Sequence, residues 1–220
     1  MSLFLATMKI SWYGHACFQI VSKGVTIVTD PFSKDIGLNP PRCEADIVTI
    51  SHDHYDHNNT SSLRGNPFII NTPGEYNLKN VSIFGIDSFH DNKQGKERGL
   101  NTIYVIETED MRICHLGDLG QNELYNEQLD KIGEVDILMI PVGGVYTINS
   151  DKAVGIINQI EPSIVIPMHF SLPKLKIKLH SVDEFLKEMG IKEKKPIEHL
   201  VVKKNDLSKE ETKVILMSVI

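Results

Sequence analysis

His52, His54, Asp56 and His57 fall at i, i+2, i+4 and i+5 of one short segment, Ser51-His52-Asp53-His54-Tyr55-Asp56-His57. On a helix these positions splay around the axis. At the end of an extended strand, i, i+2 and i+4 share a face, and a turn swings i+5 back towards it. The residues just before, Asp46-Ile47-Val48-Thr49-Ile50, form a compact apolar run with the character of a buried strand. Imidazoles held this close repel when protonated and lose solvation when buried. Neutral ring nitrogens converging on a cation remove that cost. A solvated loop that carries three histidines by chance is the bland reading. The full HxHxDH pattern behind a buried strand favours metal binding over it.

The elements that must position this cluster follow from the rest of the pattern. Strand-like runs cover 9–13, 16–21 and 25–29, broken by Gly14-His15 and by Ser22-Lys23-Gly24, with Asp30-Pro31 closing the third. Further runs at 81–88, 102–107, 112–115, 136–141, 163–167, 199–203 and 214–217 predict strands. Helices are predicted over 60–63, 122–132, 150–160 (with Asn149 or Ser150 as N-cap) and 182–189, the second and fourth stopped by Gly133 and Gly190. Strands dominate the first half, and helix and strand alternate in the second. That order suits a layered α/β domain with two sheets and helices outside.

Bulk properties narrow the functional classes. The 220 residues are 41% hydrophobic and 24% charged, an ordinary globular composition without repeat or low-complexity linker. We read residues 8–220 as one domain and 1–7 as an added or disordered extension, with Met8 as a natural start. The net charge of −6 argues against a broad nucleic-acid surface, yet bound cations would make the site itself electropositive. A small-molecule substrate, anionic species included, is therefore the expected partner. Three cysteines without a CxxC pair point to a reducing, cytoplasmic compartment. No apolar run reaches the roughly 18 residues of a membrane span. A homo-oligomer is compatible with the chain, but no residue argues for one.

With Trp12-Tyr13-Gly14-His15, Thr29-Asp30-Pro31-Phe32, the histidine cluster, His115-Leu116-Gly117-Asp118 and Pro167-Met168-His169-Phe170, the chain resembles the metallo-β-lactamase superfamily. The Gly-His and Asp-Pro-Phe elements and the short length resemble its small branch related to L-ascorbate-6-phosphate lactonase. The resemblance implies a four-layer αβ/βα sandwich. It also implies one metal held by His52, His54 and His90, a second by Asp56, His57 and His169, and Asp118 bridging both. His90, Asp118 and His169 each follow a strand-like run, where a ligand would sit, although each alone would pass as a loop residue. His115 reads as a packed residue. His15 is evenly balanced between a structural role and one beside the metals.

Five imidazoles and two carboxylates without a thiolate suit a borderline divalent ion, zinc first, with manganese or iron as alternatives. Two such ions can share a hydroxide that is nucleophilic near neutral pH. The expected activity is hydrolysis of a small ester, lactone or phosphoester, with Asp56 orienting the nucleophile and shuttling its proton. A nuclease or phosphodiesterase, and a non-hydrolytic metal-binding or redox module, are the alternatives. Lys93, Lys96 and Arg98 after His90 read as a solvated loop in preference to a basic rim. Tyr146 stands equally as a packing residue or a phenol facing substrate.

Overall fold

The computed structural model describes residues 7–208 and 210–220, so the expected N-terminal extension lies outside the described residues apart from Thr7. In chain order the elements are β1 (Met8–Gly14), β2 (Cys17–Ser22), β3 (Val25–Thr29), β4 (Ile47–Thr49), β5 (Phe68–Ile70), β6 (Gly74–Leu78), β7 (Val81–Phe89), β8 (Leu100–Thr108) and β9 (Met111–His115). Then come α1 (Asn126–Ile132), β10 (Ile137–Pro141), α2 (Ser150–Ile160), β11 (Ile164–Met168), α3 (Val182–Glu188), β12 (His199–Val202) and β13 (Lys213–Val214). Among these residues no helix is long and apolar enough to cross a membrane.

The strands form two mixed sheets, ordered β12-β1-β2-β3-β4-β5 and β13-β11-β10-β9-β8-β7-β6. With the helices they make the expected αβ/βα sandwich. Alternation along the strands decides which side chains meet between the sheets. Phe18, Ile20, Ile27 and Ile47 join the main core, while Cys17, Val28 and Val48 face the other way into a smaller cluster with Phe32 and Ile36. Loops, rather than a long helix, cover that outer face, through Leu63, Leu172, Leu175 and Ile177. Every residue of β10 and β11 is buried, as strands covered on both faces require. The crossover between them is α2, whose Ala153, Ile156, Ile157 and Ile160 are buried.

Several elements depart from expectation for local reasons. Strands β5 and β6 were not foreseen: the first is three residues long with Phe68 and Ile69 exposed, and the second is a polar edge strand. The run at 60–63 is a single 3-10 turn over Thr60–Ser62. Helix α1 starts at Asn126, later than predicted, because side chains capture the preceding backbone. Gln159 accepts from Leu124 N–H, and Gln128 accepts from Tyr125 N–H.

Pairing sets one shared edge. Strands β1, β3, β4 and β5 run in the same direction, as do β7, β9, β10 and β11. Their C-terminal ends carry His15, Asp30, His52, His90, Asp118 and His169. The ends of β3 and β4 are tied by Asp30 N–H donating to Thr49 O at 2.9 Å. The two sheets are joined there by Thr102 N–H donating to Ser51 O at 2.8 Å.

Candidate metal centre

Asp30, at the left-handed end of β3 (φ 39°), organises the first turn of the cluster. Its buried carboxylate accepts from Ser51 N–H at 2.7 Å and from the Ser51 hydroxyl at 2.6 Å. His57 Nδ1 lies 3.0 Å from the same group. A carboxylate can only accept, so this imidazole carries its proton on Nδ1 and turns Nε2 inward. The Ser51 hydroxyl, its hydrogen committed to Asp30, lies 2.9 Å from His52 Nδ1 and accepts from it. His52 Nε2 is thereby an unprotonated lone pair, buried and without a hydrogen-bond partner.

The other arms are fixed by backbone contacts. Asp118 N–H donates to Asn101 Oδ1 at 2.9 Å, and the Asn101 amide in turn donates to Ser88 Oγ and Leu116 O. Gly120 N–H donates to Phe89 O, and a Cβ on Gly120 would lie 2.4 Å from the His90 carbonyl. His169, also left-handed (φ 52°), donates its N–H to His15 O at 3.1 Å. Only glycine fits at 143, where a Cβ would lie 2.1 Å from His169 O.

All seven expected ligands converge. Oδ2 of Asp118 lies 3.1 Å from His169 Nε2, 3.2 Å from His57 Nε2, 3.5 Å from His90 Nε2 and 4.0 Å from His52 Nε2. Four imidazole nitrogens thus face one carboxylate oxygen, and Asp118 Oδ1 is buried without a partner. The ligand atoms of His52, His54 and His90 lie within 4.8 Å of one another, as do those of His52, His57 and Asp118. Asp56 stands beside His57, with Oδ2 3.7 Å from its Nε2. Orphaned buried lone pairs and an all-nitrogen-and-oxygen donor set fit a divalent metal centre.

His15 belongs to the same group. Its Nε2 is 3.2 Å from Asp56 Oδ2 and 3.1 Å from His57 Nε2, and its ring lies 4.3 Å from that of His169. His115, by contrast, has both ring nitrogens engaged. Nε2 lies 2.8 Å from Ala16 O, and Nδ1 accepts from Gly117 N–H. It is a packed residue, as expected.

Charge is distributed unevenly over these groups. Burial, reinforced by the His57 charge, pushes His52 down to about 2, and burial also lowers His90. Burial and the His169 charge lower His15 to about 4. Burial opposes the charge on His57 as well, but the Asp118 and Asp30 carboxylates outweigh it and raise that group well above the usual histidine range. Asp118 likewise stays ionised against burial, held well below the carboxylate range by His169 and His57. Asp56 is lowered too, its hydrogen bond from His15 overcoming burial.

The cluster opens into a cavity of about 570 Å³ lined by His54, Asp56, Tyr146, Arg98, Lys176 and Lys178, among others. Arg98 was expected in a solvated loop. Instead it reaches the cavity, its guanidinium 4.3 Å over the Tyr146 ring. Lys93 does stay at the surface, 2.5 Å from Glu97. Lys176 and Lys178 were missed, although the alternation Lys174-Leu175-Lys176-Ile177-Lys178 could have marked them. Asp30 was noticed only as part of a sequence element, not as the group orienting two ligands. A larger cavity of about 750 Å³ lies at the turn between β8 and β9 and contains none of the clustered ligands.

Comparison with known proteins agrees with this architecture. A family model described as a β-lactamase superfamily domain matches residues 9–169. A UPF0173 protein of Pyrococcus abyssi is 34% identical over 182 residues, covering 74% of this chain and 83% of that protein. A UPF0173 metal-dependent hydrolase of Thermoplasma volcanium is 31% identical, over 74% of this chain and 84% of its own length. A crystal structure from Thermotoga maritima, described as a candidate Zn-dependent hydrolase of the metallo-β-lactamase superfamily, superposes with a TM-score of 0.78. It is 37% identical and covers 96% of this chain and 100% of that one.

Proposed function

We propose, because the chain belongs to the β-lactamase superfamily and to its UPF0173 group of metal-dependent hydrolases, that it hydrolyses a small ester, lactone or phosphoester at a two-metal centre. The observation that carries this reading is the convergence of four imidazole nitrogens on Asp118, with lone pairs of His52 and Asp118 buried and unpartnered. His52, His54 and His90 would hold one ion, Asp56, His57 and His169 the other, and Asp118 would bridge them. Zinc suits the donors best, with manganese and iron as the alternatives. The Gly14-His15 and Asp30-Pro31-Phe32 elements, which resemble those of the small branch related to L-ascorbate-6-phosphate lactonase, favour a lactone or phosphoester in particular. The three free cysteines support a reducing, cytoplasmic setting.

When bound, such ions supply Lewis acidity and activate water near neutral pH. The chain's own residues supply the rest. Asp56, ionised and lining the cavity, can accept a proton from the attacking water and pass it to the leaving group. His15 holds the Asp56 carboxylate from behind, 3.2 Å away, and so fixes its orientation. Asp30 and Ser51 do the same for His57 and His52.

The test is metal analysis followed by a hydrolytic panel on the loaded protein. Two equivalents of metal and turnover of esters or lactones are expected, with Asp56→Ala lowering kcat at least about a hundredfold at nearly unchanged thermal stability. Turnover of bis-phenyl phosphates but not lactones would move the assignment to a phosphodiesterase. A coloured di-iron centre without hydrolysis would move it to a redox module, and failure to bind metal would overturn the centre itself.

A further inference from the structure

We infer that the cavity beside the ligand cluster accepts a small anionic substrate, whose phosphate or carboxylate is held by Arg98, Lys176 and Lys178 next to Tyr146, apart from the bond that is cleaved. This rests on the hydrolytic reading above and adds the chemical class of the substrate. Three cations line one cavity, and among the described residues none of them forms an ion pair with a carboxylate. Among the described residues the only carboxylates lining it are Asp56, beside His15 and His57, and Asp118, at the centre of the imidazoles. In a chain of net charge −6, three unpaired like charges around one mouth repel one another unless an anion joins them.

Both walls hold these charges in place. On one side, Asp91 caps its loop by accepting from the backbone N–H groups of Lys93, Gly95, Glu97 and Arg98 at 2.7–2.9 Å. The capped loop lays Arg98 on Tyr146, which comes from the segment after β10. On the other side runs an extended strap in which half-buried Leu175 and Ile177 alternate with exposed Lys174, Lys176 and Lys178. Leu175 and Ile177 pack on the smaller core cluster, and Lys176 N–H donates to Ile36 O at 2.8 Å. Gly37, at φ +95°, allows this docking, since a Cβ there would lie 2.0 Å from Lys174 O. Lys176, Ile177 and Lys178 thus all line the cavity, while Leu175 and Ile177 anchor the strap on the smaller cluster.

The volume of about 570 Å³ fits a metabolite-sized ligand. A small molecule is favoured over a polymer because the chain as a whole is acidic, with a net charge of −6.

The experiment compares matched chromogenic esters that share one scissile bond and end in a phosphate, a carboxylate or an uncharged hydroxyl, with the metal-loaded full chain. The wild type should prefer the charged esters. A Lys176→Ala/Lys178→Ala double variant should cut the charged-over-neutral ratio of kcat/KM at least about tenfold, mainly through KM, and Arg98→Ala should act in the same direction. Raising salt from about 50 to about 500 mM should erode the same ratio. In parallel, glycerol phosphate binding is measured by calorimetry on the same proteins. Loss of that binding in the double variant supports the anion site even if no ester is cleaved, so failure of the hydrolytic reading remains distinguishable. Equal preference for charged and neutral esters, or wild-type ratios and phosphate binding in the double variant, overturns the proposal. Lysine-dependent binding of single-stranded oligonucleotides without glycerol phosphate binding would overturn it too, in favour of a polymer.

Discussion

Replacing Asp30 by Asn tests whether the group behind the ligands sets their affinity. The native carboxylate accepts three buried hydrogen bonds, from Ser51 N–H, the Ser51 hydroxyl and His57 Nδ1, at 2.6–3.0 Å. Asn offers one acceptor oxygen in place of two. With that oxygen towards His57, its amide meets Ser51 N–H, and turned over, it meets the hydroxyl and His57. Either way at least one buried donor loses its acceptor, at about 1–3 kcal/mol, and the surviving bonds lose the charge that made them strong. His57 is left either with a neutral acceptor in place of a carboxylate or with none to select its Nδ1–H tautomer, and loss of such a partner typically costs 10–100-fold in metal affinity, or about 1.4–2.7 kcal/mol. Chelator competition on wild type and Asp30→Asn reads the affinity, and urea unfolding of the metal-free proteins reads the structural part. Wild-type affinity in a folded Asp30→Asn protein would show that His57 is not a ligand oriented through Asp30, and the reasoning would fail.

Two further predictions follow from charge and from backbone proximity. Metal uptake at pH 7 should release about one proton, because His57 alone among the shifted imidazoles is held protonated by Asp118 and Asp30, whereas His52, His90 and His15 are lowered and already neutral. Since His57 must lose that proton to ligate, affinity should rise with pH through its raised value. Calorimetry in buffers of differing ionisation enthalpy measures the release, and uptake without it would contradict the charge distribution. Gly120→Ala should lower both thermal stability and metal content, because its Cβ would meet the His90 backbone at 2.4 Å, and overpacking of this kind costs about 1–3 kcal/mol. Gly155→Ala is the control. It sits in the exposed interior of α2 with nothing within 4 Å, so it should stabilise by about 0.5–1 kcal/mol and leave metal content intact.

The parts legible in the sequence were those whose information is local. HxHxDH sits on one strand end, so its spacing alone predicts convergence. His90, Asp118 and His169 stand far apart in the chain; their places after strand-like runs suit ligands, but only the family resemblance joined them to the cluster. Asp30 was illegible because its importance lies in contacts with Ser51 and His57, 21 and 27 residues away. Lys176 and Lys178 pointed to no cavity by themselves, since Arg98, across the cavity they line, lies some eighty residues earlier. The missed strands β5 and β6 lie at sheet edges, where burial no longer imposes an alternating pattern.

The centre divides into a frame and a filling, and they answer to different forces. The frame comprises Asp30 on Ser51, Asn101 on Asp118, and the close backbone approaches at Gly120 and Gly143. Each of these contacts is complete within the chain, so the strand ends stay in register without help from an ion. The filling is the set of imidazoles around Asp118, where lone pairs are orphaned and one histidine is forced to keep its proton. A frame already in place means that little ordering entropy remains to be lost when cations arrive. Their binding energy is then free to relieve the charge strain of the filling. On this division the fold precedes the metal, unlike small domains that a metal must assemble, and the frame residues govern how tightly the ions are held.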